Sequence, residues 1–263
     1  MLVREPSSAG SFYPAQKEQL EKQLESLFEN VPKQEKTKCV IAPHAGYVYS
    51  GKTAAYSFKA LQESKTFVIL SPSHTGLGPE VSVSNAGQWK TPIGNVAVDE
   101  ILREKLLAKL GIEADNLAHI GEHSIELQIP FLQKIFKGFK ILPITIMEQR
   151  FEELEKIGNV FAKLEGNFSI IASGDFTHHK PLETATKNDY EAIKKIEELD
   201  AKGFHQKVIS ENLSICGLSP ITILTQYCKK TGFEKGKLLH YDTSAITAED
   251  EESVVGYAAI GFY

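Results

Sequence analysis

Short runs of β-branched and aliphatic residues alternate along this chain with longer stretches whose apolar residues recur at helical spacing. That alternation predicts an α/β protein on a largely parallel mixed sheet. Several of the short runs are mostly apolar and read as strands buried on both faces. No Gly/Ser-rich or Pro-rich linker, composition break or solenoid repeat interrupts the 263 residues. A single domain over residues 1–263 is therefore expected, with helical layers on both sides of the sheet.

The elements follow in order. Leu20, Leu24, Leu27 and Phe28 repeat at helical spacing among Lys, Glu and Gln, which predicts an amphipathic helix over about 15–30. Strands are predicted at 38–42 (KCVIA), 66–70 (TFVIL), 81–85 (VSVSN), 141–146 (ILPITI), 168–173 (FSIIAS) and 254–263 (VVGYAAIGFY). Helical patterns occupy roughly 51–63, 99–110, 122–136, 150–164, 183–200 and 219–231; in the last, Ser219 is a candidate N-cap and Pro220 suits the first turn. The mixed charges of 183–202 read as a solvated helix face, and the acidic run at 248–252 as a surface loop.

Composition narrows the function classes. Against 34 acidic residues stand 29 Lys and Arg, a formal charge of -5, so the basic surplus that feeds on a phosphate backbone is missing and nucleic acid is not an expected partner. No apolar run reaches the ~20 residues a bilayer span needs, and the opening residues carry no secretory signal, so a cytoplasmic protein without membrane association is expected. Three scattered cysteines do not make a disulfide framework.

In open α/β sheets, ligands bind beyond the carboxyl ends of the strands. His44 follows the first strand in VIAPH, His74 follows the second in FVILSPSH, and Asp175, His178 and His179 follow a later one in SIIASGDFTHH. A parallel sheet gathers such positions on one edge, and imidazole is the commonest metal ligand. Cys216 stands just ahead of the predicted helix that begins near Ser219, where the positive end of the dipole favours a thiolate; it reads equally as a small buried hydrophobe. Cys39 inside a strand and Cys228 inside a helix read as packed thiols. Glu122, His123 and Glu126 lie in a predicted helix with His123 and Glu126 one turn apart, either as an outer shell around a ligand histidine or as a cap and surface ion pair.

Gly46 to Thr53 formally fits the phosphate-loop pattern G-x-x-x-x-G-K-[ST]. Its interior is Tyr-Val-Tyr, however, and a phosphate cradle favours small residues that tolerate unusual torsions. Nucleotide binding is not expected.

Seven segments in order, REPSSAGSFYP, APHAGYVYSG, SPSHTG, TPIG, EHSIELQIPFL, SGDFTHH and SICGLSPI, resemble the Memo family, also known as AmmeMemoRadiSam system protein B. The resemblance runs from residue 4 to the C-terminus and absorbs the phosphate-loop pattern as a coincidence. It implies a fold similar to class III extradiol ring-cleaving dioxygenases. It also implies a metal site of His44, His74 and Cys216, with His178 as acid/base residue, Asp175 beside it, and Phe12 lining the pocket mouth; His179 receives no role. Where the dioxygenases complete their triad with a carboxylate, this chain has a thiol, which broadens the implied metal from Fe(II) to Cu(I) or Zn(II). Leu218 stands where some relatives carry Arg, so an anion contact there is not expected.

The expected function is thus a non-haem, transition-metal, redox or dioxygenase-like enzyme acting on a small molecule. The alternatives are a peptide-binding adaptor on a degenerate enzyme fold, as eukaryotic members are regarded, and a metal-dependent hydrolase. The family name implies a radical S-adenosylmethionine protein and an Ammecr-type protein as partners.

Overall fold

The structure is a computed structural model that describes residues 2–263. Its elements are β1 (Val3–Arg4), α1 (Lys17–Phe28), β2 (Cys39–Ala42), α2 (Tyr47–Ala60), β3 (Thr66–Pro72), β4 (Val81–Val83), β5 (Gln88–Thr91), β6 (Gly94–Ala97), α3 (Glu100–Leu110), α4 (Ile129–Ile135), β7 (Lys140–Ile146), α5 (Phe151–Phe161), β8 (Phe168–Ser173), β9 (His178–Lys180), α6 (Leu182–Glu197), α7 (Ala201–Ser210), α8 (Leu218–Lys230), β10 (Gly236–Thr243), α9 (Ala245–Ala248) and β11 (Val254–Phe262). Two 3₁₀ turns, Leu117–His119 and Glu126–Gln128, stand between α3 and α4.

The main sheet runs β10-β11-β2-β8-β3-β7-β4, with β9 pairing β11 off that path. Only its centre is parallel. β2, β8, β3 and β7 run together, whereas β11 on β2, β10 on β11, β9 on β11 and β4 on β7 are all antiparallel. This corrects the largely parallel sheet expected from the alternation. A parallel neighbour needs a crossover of a dozen or more residues, and the short link from Thr243 to Val254 between the paired strands β10 and β11 is not one. β1, β5 and β6 form a separate small sheet.

The four central strands are buried at every position but Lys140 because each face meets its own helical layer. Cys39, Ile41, Val68, Leu70, Ile170 and Ala172 point to one core with Leu154, Phe161, Ile221 and Leu224 of α5 and α8. The alternate residues Val40, Ala42, Phe67, Ile69 and Ile171 point to the other, with Leu20, Leu24, Phe58 and Phe131 of α1, α2 and α4. Cys39 and Cys228 are buried among these side chains, as expected of packed thiols.

Several expected elements shift. The helix expected at 51–63 begins at Tyr47, so the phosphate-loop residues are helix and cannot cradle an anion. The segment expected as helix 122–136 is turn, then 3₁₀, then α4, and His123 and Glu126 do not share a helical face. Gly217, not Ser219, precedes α8; Ser219 lies inside the first turn and donates instead to Glu148 O at 2.6 Å. The helix expected over 183–200 stops at Glu197, and Asp200, accepting from Gly203 N at 2.8 Å, caps a new helix, α7. Within that charged run Asp189 is not solvated; it is buried, accepting from Thr177 N at 2.9 Å and Tyr241 Oη at 2.8 Å. Among the described residues no helix is long and apolar enough to cross a membrane.

Candidate metal centre

Parallel pairing in register assembles the site. Ala42 lies opposite Ser173 and Leu70 opposite Ala172, so β2, β8 and β3 end at one edge with β8 between the other two. His44, Asp175 and His74 each stand two residues beyond those ends. Cys216 arrives from the far side of the sequence, in the turn before α8, which packs across the same strands.

One contact sets the depth of that turn. A Cβ on Gly174 would lie 2.5 Å from Gly217 Cα, so only two glycines allow the backbone before Asp175 to touch the backbone after Cys216.

The ligand atoms of His44, His74 and Cys216 all lie within 4.8 Å of one another. Cys216 Sγ is 3.3 Å from His44 Nε2. Donors on one tetrahedral ion at about 2.1–2.3 Å would stand roughly 3.5 Å apart, so this cluster can coordinate a single metal. Both imidazoles are held by Nδ1, His44 against Ser173 Oγ at 2.9 Å and His74 against Glu122 Oε1 at 2.9 Å, which leaves Nε2 on each ring. His74 N also donates to Glu122 Oε2 at 2.6 Å. A carboxylate behind a ligand histidine fixes the ring and raises its basicity.

The electrostatics match this arrangement. Burial, reinforced by His123, His74 and His178 nearby, holds His44 well below the usual imidazole range and therefore neutral. Burial alone would raise Glu122, but hydrogen bonds and charge from His74 outweigh it and bring the carboxyl down to about 2. Asp175 is buried, which lifts it to about 6 against the hydrogen bond from His44 N at 2.8 Å. Burial, and next the Asp175 carboxylate, push the Cys216 thiol up. A cation among these donors would reverse that tendency and favour the thiolate, which already has Asp175 N at 3.2 Å as a donor.

The remaining expected residues divide. Phe12 stacks on His123 with ring centroids 4.6 Å apart, and His123 lies 4.5 Å from the His74 ring. His123 is brought down to about 4, mainly by burial and by His74. His178 is not bonded to Asp175. Its Nδ1 lies 2.7 Å from Ser214 O and its N donates to Ser214 Oγ at 2.9 Å, so the loop that carries Cys216 also holds His178. His179 is exposed at positive φ, with Ser253 Oγ at 3.5 Å from its Nδ1.

Sequence reasoning leaves out one part of the site's support. Glu126, fully buried, receives Arg4, Ser7 N at 2.9 Å, Ser8 N at 2.9 Å and Tyr13 Oη at 2.6 Å. Arg4 also donates to Glu122 O at 2.7 Å. The N-terminal segment is thereby tied to the turn that holds His74, and Phe12 is delivered to the His123 ring. The ion pair considered for Glu126 exists, but inside the protein, with Arg4.

The Memo-like protein family profile matches residues 4–261. The chain belongs to the Memo family. Memo relatives are similar along their whole length. A MEMO1 family protein of Methanosarcina mazei is 43% identical over 99% of both chains, and one of Aquifex aeolicus is 38% identical over the full length of both. Among solved structures, an uncharacterised protein of Escherichia coli K12 matches with a TM-score of 0.54 at 15% identity, covering 84% of this Memo chain and 98% of its own, a likeness of fold alone.

Proposed function

We propose that this protein is a non-haem metalloprotein that binds one transition metal through His44, His74 and Cys216 and uses it in redox or dioxygenase-like chemistry on a small molecule. The observation that carries the reading is the convergence of two imidazole donors and one sulfur within 4.8 Å, beyond the ends of parallel strands. Two nitrogens and a soft sulfur suit Fe(II), the favoured ion, and also Cu(I) or Zn(II). When bound, the ion supplies Lewis acidity and, for iron or copper, single-electron chemistry. A free thiol ligand suits the reducing cytoplasm.

The chain's own groups divide the other tasks. His178, its Nδ1 proton directed to Ser214 O, keeps Nε2 free to accept or return a proton as the general acid/base. The Asp175 carboxylate accepts from the His44 amide, and the Asp175 amide donates to Cys216 Sγ; neither bonds His178. Phe12 and His123 form an aromatic wall suited to a planar substrate. Glu122 orients His74. A radical S-adenosylmethionine protein and an Ammecr-type protein, implied by the family name, are the proposed partners; the sequence has no Cys-x₃-Cys-x₂-Cys motif, so any radical chemistry would belong to such a partner.

Anaerobic purification followed by metal analysis tests the reading. Wild type is expected to hold about one ion per chain, and Cys216→Ser and His44→Ala far less. Equal, substoichiometric metal in all three would overturn it. Turnover that survives strict exclusion of O₂ would indicate a hydrolase, and partner binding that survives a His44→Ala, His74→Ala double variant would indicate an adaptor.

A further inference from the structure

One short segment governs the ring protons of both ligand histidines. Glu122 is surrounded by donors only: His74 N and Nδ1, Ser124 N at 3.0 Å and Ser124 Oγ at 2.7 Å. A carboxylate so placed gives no hydrogen back, so His74 Nδ1 carries the proton.

His44 is decided by a longer count. Its Nδ1 meets Ser173 Oγ, whose single hydrogen has two possible acceptors. Ser124 O lies 2.8 Å from that hydroxyl and can only accept. If the hydrogen turned to His44 instead, two oxygens would face each other at 2.8 Å in a fully buried place, at a cost of about 1–3 kcal/mol. Gln128 Nε2 adds a donor to Ser173 Oγ at 2.8 Å and another hydrogen to Pro43 O at 3.0 Å. Its amide cannot be reversed, because Oε1 would then face Pro43 O. Gln128 Oε1 is accordingly left buried without a partner.

We infer that Ser173 and Gln128, braced by Ser124 O, are positioning residues that lock His44 in the Nδ1–H tautomer, so that its Nε2 is turned toward Cys216 as a ligand atom before any cation arrives. The inference rests on the metal reading above for its purpose, and on hydrogen-bond geometry alone for its existence. Residues 124–128 thereby serve His44 while residue 122 serves His74, and one segment prepares two ligands that are 30 residues apart in sequence.

The test uses full-length, metal-free, reduced protein labelled with ¹⁵N-histidine. Long-range ¹H–¹⁵N spectra report which ring nitrogen of His44 is protonated, and Zn²⁺ alone, in competition with a chelating dye, reports affinity. Wild type is expected to show Nδ1–H at His44 and His74. Ser173→Ala is expected to mix the His44 tautomers and weaken Zn²⁺ about 10–100-fold. Ser71→Ala is the control: it removes an equally buried hydroxyl from β3 whose partners are Ile144 O and Thr145, and should change neither readout. An Nε2–H tautomer at His44 in wild type overturns the lock without any variant having to fold. Mixed tautomers in Ser173→Ala with unchanged Zn²⁺ affinity overturn its role toward the ligand set. Wild type with the expected tautomers and no Zn²⁺ uptake overturns the metal reading, and the purpose of the lock with it.

Discussion

Replacing Glu126 by Gln keeps the shape of the side chain and removes its charge. In the folded protein that carboxylate is fully buried and accepts from the Arg4 guanidinium, two backbone amides and a phenol. Its pKa lies below the usual range although burial works in the other direction, because Arg4, Tyr13 and Ser7 together outweigh desolvation. Breaking a buried pair on one side typically costs ~3–5 kcal/mol. Gln retains one oxygen for two or three of the donors and Arg4 is 10% exposed, so roughly 2–4 kcal/mol is expected here. For a chain of this size that lowers Tm by roughly 5–10 °C. Amide exchange of Ser7 and Ser8 should accelerate more than that of β2 or β8, since the two amides bond different carboxylate oxygens and Gln keeps only one of them, and Zn²⁺ affinity should fall as Phe12 and the Glu122 turn loosen. Calorimetry and hydrogen exchange provide the assay. A Tm within 1 °C of wild type (a fraction of a kcal/mol), with Ser7 and Ser8 still protected, would refute the role assigned to this carboxylate.

Acid sensitivity follows from His119, brought down to about 4 chiefly by burial, against an opposing pull from Asp115. The unfolded chain binds this proton near pH 6.5. Stability is therefore undiminished above about 6.5 and falls as pH drops toward 4, by up to about 3 kcal/mol. Urea midpoints should decline less steeply over that window in His119→Gln, and parallel curves would contradict the assignment. Gly174→Ala forces the Gly174 and Gly217 backbones apart, costing ~1–3 kcal/mol by overpacking. It should cut metal occupancy more than a core substitution of equal ΔΔG; equal occupancy at equal Tm loss would count against a contact that sets Cys216. Glu122→Gln removes the carboxylate behind His74 and should weaken Zn²⁺ about 10–100-fold in the dye competition; unchanged binding would mean His74 needs no orienting charge.

The central strands were legible because a strand covered on both faces is mostly apolar, and 38–42, 66–70, 141–146 and 168–173 are apolar runs broken only by Lys38, Thr66, Thr145, Ser169 and Ser173. Once they were placed in parallel, His44, His74 and Asp175 had to share an edge. β10 escaped because an outer strand carries Lys237, His240 and Asp242 among its apolar residues and has no single-face pattern; β5 and β6 are four residues each around a turn. The segment 122–136 misled because its apolar spacing suits a helix, whereas Glu122 and Ser124 spend their hydrogen bonds on His74 and on each other in a turn. Ser173 and Gln128 could not be found from spacing, since a serine closing a strand and a glutamine before a proline helix look ordinary until Pro43 O and the His44 ring come within reach. The ligand set itself came from the family resemblance; the strand-end pattern left Cys216 undecided between donor and filler.

The order of the main sheet has a consequence for synthesis. β11, later in sequence than every other strand, does not sit at the rim but between β10 and β2. While the ribosome is still making residues 245–253, β2 is an open edge of bare amides and carbonyls, apolar on both sides and ready to pair with another nascent chain. A product that stops short of Val254 leaves that edge bare, so aggregation of stalled or shortened chains is the expected outcome of where one strand lies.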